Sequence, residues 1–310
     1  MFATSTARVA RFTVKIAEHI LVAEAGHEPE CLLLSPDEAH LRFSSVSDFE
    51  DADVRLRFLL GEGPVTDGAP LLFDSGTTWK LYRIDDTYAI PIRSAQSGSK
   101  PLLTAVLDDG FATGRVFVHP TSAEASTNPA APTAPQKVDP FRYPLGEIVM
   151  LSFLSRHRRG VILHACGVVD EGRGFLFCGV SGAGKSTMAN IWKPTYATLL
   201  SDDRIIVRRM DGVFRMYGTP WHGDANVCDP GNAPLEKVFF IVHADRNYAK
   251  PISPIDAASR LLVRCFPPFW DKEGMEFVTN FLAEMAEEVP CYELGFVPDQ
   301  SVVEFVRSIE

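Results

Sequence analysis

The chain has 310 residues, 46% hydrophobic and 23% charged, with a formal net charge of −10. That is apolar material for one large or two ordinary globular domains, and the acidic balance argues against nonspecific nucleic-acid binding, which needs a basic surface. No apolar run approaches the roughly 20 residues that cross a bilayer, and the N-terminal stretch lacks the pattern of a signal peptide, so a cytoplasmic location away from membranes is expected.

Residues 8–120 carry short alternating runs: Phe12, Val14 and Ile16; Val54, Leu56 and Phe58; Tyr88, Ile90 and Ile92; Val116 and Val118. Alternation of this kind predicts strands. Ser75-Gly76-Thr77, Asp85-Asp86 and Asp108-Asp109-Gly110 supply turn chemistry between them, which predicts hairpins rather than crossover helices. The first 120 residues are therefore expected to be a β-rich domain, either a recognition module for a peptide or protein or a structural cover. Residues 121–136, crowded with Ala, Pro, Ser and Thr, read as a linker.

A buried helix is predicted over 145–157, from Leu145 to its basic end at Arg156, His157, Arg158 and Arg159 before Gly160. Strands follow at 161–169, with His164 among apolar neighbours, and at 174–178. Next comes Gly179-Val180-Ser181-Gly182-Ala183-Gly184-Lys185-Ser186, which fits the phosphate-loop pattern G-x-x-x-x-G-K-[ST]. Glycines at these positions let backbone N–H groups close around phosphate oxygens, and the helix that follows presents its positive end to an anion. Gly179, Ser181, Gly182, Ala183, Gly184, Lys185, Ser186 and Thr187 are the expected nucleotide contacts. Lys185 would reach the β- and γ-phosphates and Ser186 would ligate Mg²⁺.

The apolar run 199–207 is interrupted by Asp202 and Asp203, followed by Arg204. A hairpin is expected around Met210-Asp211-Gly212, then a geometry-fixing loop from Gly218 to Asp224 that would border the ligand. A buried strand is predicted at 237–243, helices at 255–265 and 275–289, a strand at 293–297 and a closing helix at 301–309. The six cysteines, Cys31, Cys166, Cys178, Cys228, Cys265 and Cys291, form no C-x-x-C pair and read as reduced, mostly buried thiols.

His164 lies fifteen positions before Gly179, and Asp202 seventeen after Lys185. A His before the loop and a strand-borne Asp-Asp-Arg after it resemble the catalytic domain of bacterial HPr kinase/phosphorylase, itself related to the nucleotide-binding part of ATP-dependent phosphoenolpyruvate carboxykinase. The resemblance covers residues 161–207. It implies an α/β fold in which residues 137–310 form a P-loop kinase domain of that type, preceded by the β-rich domain. It also implies Asp203 as proton acceptor, His164 as its neighbour near the transferred phosphate, and Asp224 as a further metal-binding carboxylate. Asp202 is left as a metal-associated or structural partner. The chain lacks the Glu-[apolar]-Arg-Gly-[apolar]-Gly segment of those enzymes, so the implied acceptor is broader than HPr.

The function expected is transfer of the γ-phosphate of ATP, with Mg²⁺, to a hydroxyl such as serine in a peptide, protein or small molecule. The alternative is a nucleotide-binding regulatory or assembly module without phosphotransfer. Assembly with copies of itself is left open.

Overall fold

The computed structural model describes residues 10–26, 31–93, 100–120, 135–180 and 182–309. It is a mixed α/β protein with several sheets and few helices, and it divides into two compact units, Met1–Phe153 and Leu154–Glu310. Most of the expected linker, residues 121–134, lies outside the described residues. Among those described, no helix is long and apolar enough to cross a membrane.

The first unit contains β1 (Arg11–Ile16), β2 (His19–Ala25), β3 (Leu32–Leu34), α1 (Glu38–Arg42), β4 (Val54–Leu60), β5 (Leu71–Asp74), β6 (Lys80–Ile84), β7 (Thr87–Ile92), β8 (Leu103–Leu107), β9 (Thr113–Val118) and β10 (Gln136–Val138). Its main sheet runs β1-β2-β4-β9-β8-β7-β6-β5, and β3 pairs with β10. The β5–β6, β6–β7 and β8–β9 pairings are antiparallel hairpins at the expected turns. The β2–β4 and β4–β9 pairings are parallel, so hairpins alone do not build this sheet.

Within this unit His40 joins α1 to the segment after β10. Asp37 caps α1 by accepting from the His40 N–H, while His40 Nδ1 lies 2.7 Å from Asp37 and 3.2 Å from Asp139. His40 Nε2 lies 2.9 Å from the Phe141 carbonyl oxygen. Burial opposes a charge on this imidazole, but the two carboxylates outweigh it and raise its pKa above the ordinary 6.5. Among the described residues this is the one group of three His, Cys, Asp or Glu ligand atoms that lie within 4.8 Å of one another. The 2.7 Å spacing is that of a hydrogen bond, which the protonated ring satisfies without a metal.

Because the folded pKa is raised, the stabilisation is fully present below the unfolded value and is lost as pH rises through the folded one. His40→Ala is therefore expected to lower the thermal midpoint most near pH 6 and progressively less at alkaline pH. Asp139 keeps the Asp37 and Phe141 N–H donors, so losing the charge-assisted bond to the ring costs about 1.5–3 kcal/mol at the acidic end. A stability difference that does not change with pH would exclude the charged imidazole.

Helix α2 (Leu145–Arg156) is buried from Leu145 to Ser155 and contains the boundary between the units. The second unit continues with β11 (Val161–Asp170), β12 (Arg173–Cys178), α3 (Lys185–Trp192), β13 (Thr198–Ser201), β14 (Arg204–Met210), β15 (Val213–Tyr217), β16 (Asn232–His243), β17 (Tyr248–Pro251), α4 (Pro254–Leu262), α5 (Lys272–Glu288), β18 (Cys291–Phe296) and α6 (Ser301–Arg307). Tight turns at Glu171-Gly172 and Asp211-Gly212, all with positive φ, join β11 to β12 and β14 to β15.

The sheet runs β12-β11-β14-β15-β16-β18-β17, and β12 also pairs with β16, closing five strands into a ring. Strands β12, β16 and β18 are parallel neighbours. Two clusters of buried side chains hold these layers. One joins Leu163, Leu176, Ile205, Met216 and Phe240 to Leu261 of α4 and to Phe281 and Met285 of α5. The other joins Phe175, Phe177 and Phe239 to Met188 and Trp192 of α3 and to Val302 and Val306 of α6. Asp271 caps α5 by accepting from the Glu273 N–H, which is why that helix begins at Lys272 rather than at the expected 275.

Candidate active site

Strand β12 ends at Cys178, paired with Phe240 of the parallel β16, and the glycine-rich loop leaves from that edge into α3. The carboxyl end of parallel strands, with a helix N-terminus opening beside it, is where α/β proteins receive anionic ligands. Gly182 at φ 80° and Gly184 at φ 102° take left-handed conformations that a side chain would strain. Ser181 lies outside the described residues.

Lys185, the first residue of α3, is buried, and its Nζ donates to the carbonyls of Gly179 at 3.0 Å and Val180 at 3.4 Å. Burial pushes this ammonium below the ordinary lysine range, and the charges of Arg204 and Arg264 push it further. Such a cation gains when an anion arrives.

Ser186 Oγ donates to Asp202 Oδ2 at 3.2 Å. Asp202 is 1% exposed and accepts the Gly223 N–H on Oδ1 and the Ala225 N–H on Oδ2, both at 2.9 Å. These bonds tie the loop after β15 to the break between β13 and β14. They also explain Gly223, since a Cβ there would fall 2.8 Å from Asp202 Oδ2.

Asp203 is held on both sides. Its Oδ1 lies 2.8 Å from His164 Nε2, and its Oδ2 accepts from Arg204 Nη1. The Arg204 guanidinium stacks 4.6 Å from the Phe266 ring centroid, and the His164 ring lies 6.0 Å from the same ring. Asp203 keeps 19% side-chain exposure and His164 29%, so both reach solvent.

These groups surround a cavity of about 340 Å³ lined by His164, Gly182, Gly184, Lys185, Ser186, Thr187, Asp202, Asp203, Gly223 and Asp224. Of the sequence-derived site residues, Gly179 and Ala183 lie in the same loop, Gly179 accepting from Lys185 and Ala183 donating to the Val180 carbonyl. Asp224 is exposed at the rim. The sequence did not single out the Gly223 and Ala225 amides as what holds Asp202, because a backbone donor leaves no residue signature. Arg264 was likewise missed.

The oxygens of Ser186 and Asp202 form an all-oxygen donor pair at the cavity, which suits a hard cation such as Mg²⁺. Asp202 Oδ1 takes one N–H and retains a lone pair, while Oδ2 accepts from both the Ala225 N–H and the Ser186 hydroxyl, whose proton a cation would displace. Ser186→Ala is expected to weaken nucleotide affinity about tenfold with Mg²⁺ present and much less with EDTA, measured by calorimetry. Equal losses in both conditions would remove the hydroxyl from the metal.

The thiols near this site are not nucleophiles. Burial pushes Cys178 up to about 12 and Cys166 higher still, and all six cysteines are free.

Residues 144–297, just under half of the chain, match the family described as SynChlorMet cassette protein ScmC. No curated protein matches the chain. The match corrects the resemblance to HPr kinase/phosphorylase drawn from His164, the loop and Asp202-Asp203: the family whose model matches this segment is ScmC and not that of HPr kinase. Three short signals within one stretch of chain did not carry the family. Roles for Asp203, His164 and Asp224 that came from that resemblance now rest on their geometry alone.

Proposed function

We propose that the second unit is a P-loop kinase domain that binds ATP with Mg²⁺ and transfers the γ-phosphoryl group to a hydroxyl of a peptide, protein or small molecule. The observation that carries this reading is the placement of Asp203, braced by His164 and Arg204, at the same cavity as Lys185 and Ser186. A module that only binds nucleotide has use for Lys185 and Ser186 but none for a second, partly exposed carboxylate held beside an imidazole.

Each residue then has a task. Loop amides and the N-terminus of α3 cradle the phosphates, and Lys185 exchanges the Gly179 carbonyl for phosphate oxygen. Ser186 and Asp202 would hold Mg²⁺, which when bound offsets phosphate charge, and Asp224 at the rim is a further carboxylate within that cavity. Asp203 accepts the proton of the attacking hydroxyl as its oxygen bonds to the γ-phosphorus. The bond from that phosphorus to the β–γ bridging oxygen breaks, and ADP leaves with the electron pair. His164 fixes the orientation of Asp203, and Arg204 holds its other oxygen.

Incubation with γ-labelled ATP, Mg²⁺ and a panel of serine peptides and small alcohols tests the reading. Label transferred to a hydroxyl, or slow release of labelled phosphate to water, is the expected result. Tight ATP binding with neither outcome would favour the regulatory module instead.

A further inference from the structure

Arg264 follows α4, and its backbone is stitched to β11: the His164 N–H donates to its carbonyl at 2.7 Å, and Cys265 bridges Leu163. Its guanidinium lies 5.3 Å from the ring centroid of Phe240, the residue paired with Cys178 immediately before the glycine-rich loop. Through its side chain the residue therefore reaches the strand end from which that loop leaves, and through its backbone it reaches His164.

Its neighbour Arg260, over the same ring at 5.7 Å, is neutralised by Glu293 at 3.0 Å. Arg264 has no carboxylate partner among the described residues. Nη1 donates to the Arg260 carbonyl at 2.8 Å, which closes the end of α4, while Nε is buried with no hydrogen-bond partner among the described residues. Burial lowers the pKa of Arg264, and its charge acts in turn on Lys185. Among the described residues the Lys185 ammonium likewise hydrogen-bonds only to loop carbonyls. Two cations without counter-ions, partly withdrawn from water and repelling each other, are costly unless a polyanion joins them.

We infer that Arg264 binds the terminal phosphate of the nucleotide, so that Arg264 and Lys185 together make the cavity selective for a triphosphate over a diphosphate. The inference rests on the phosphate-site reading and adds a residue that no sequence motif marks. A planar guanidinium suits this task because its remaining N–H groups can meet two phosphate oxygens at once.

The test compares ATP and ADP affinities, each with Mg²⁺, by calorimetry on the full chain. The unmodified protein is expected to prefer ATP, and Arg264→Gln to lose about 10- to 100-fold of ATP affinity while ADP affinity holds. Arg264→Lys keeps the charge and a donor for the Arg260 carbonyl, so it should retain part of the preference and remain folded if the Gln variant does not. Equal losses for ATP and ADP would make Arg264 only a support for α4 and overturn the inference, as would an unchanged preference in both variants. If the unmodified protein binds neither nucleotide, the phosphate-site reading itself fails. If it binds both alike, only the selectivity assigned to Arg264 fails.

Discussion

Lys185→Ala is expected to lower Mg-ATP affinity by about 100-fold or more, because it removes the one ammonium at the loop and the charge-assisted bonds it would make to phosphate, about 2.7 kcal/mol. The same change should leave the unliganded fold intact. Lys185 is buried, its pKa is depressed by burial, and among the described residues its ammonium hydrogen-bonds only to two carbonyls of its own loop, so its removal relieves a desolvated cation. Calorimetry with ATP and thermal unfolding without it separate the two effects. ATP affinity that survives in a folded Lys185→Ala protein would end the phosphate-loop assignment.

The second large effect belongs to Asp203. Asp203→Asn keeps the size of the side chain and an oxygen that can accept from His164 or Arg204, but it loses the basic carboxylate. Transfer is expected to fall on the order of 10² to 10⁴ with ATP binding retained. Asp202→Asn should behave differently. Asp202 accepts two backbone N–H groups and the Ser186 hydroxyl, and an amide offers only one oxygen. Either Gly223 or Ala225 would then face an NH₂ group, at a cost of about 1–3 kcal/mol in stability, together with a changed Mg²⁺ requirement. Full transfer activity in Asp203→Asn would exclude it as the proton acceptor.

What the sequence determined by itself was local. Turn chemistry at Asp85-Asp86 and Asp211-Gly212 predicted the hairpins that form there, because positive φ at Asp85, Asp211 and Gly212 is a property of those few residues. Helical spacing of Phe277, Phe281 and Met285 predicted α5, and the apolar run before the glycines predicted β12. Residues 199–207 form two strands with Asp202 and Asp203 at the break between them.

Tertiary structure decided what depends on pairing across long stretches of chain. Strand β4 lies parallel to β9 although more than fifty residues separate them, a register that no adjacent turn specifies. Asp202 became a buried anchor because the loop after β15 returns two amides to it, and amides are the same in every sequence. Arg264 came beside His164 because the chain leaving α4 bridges β11, one hundred positions away. Side-chain periodicity and turn residues report the conformation of their own segment; which segments meet is set by burial of two cores on opposite faces of one sheet, and that is a property of the whole unit.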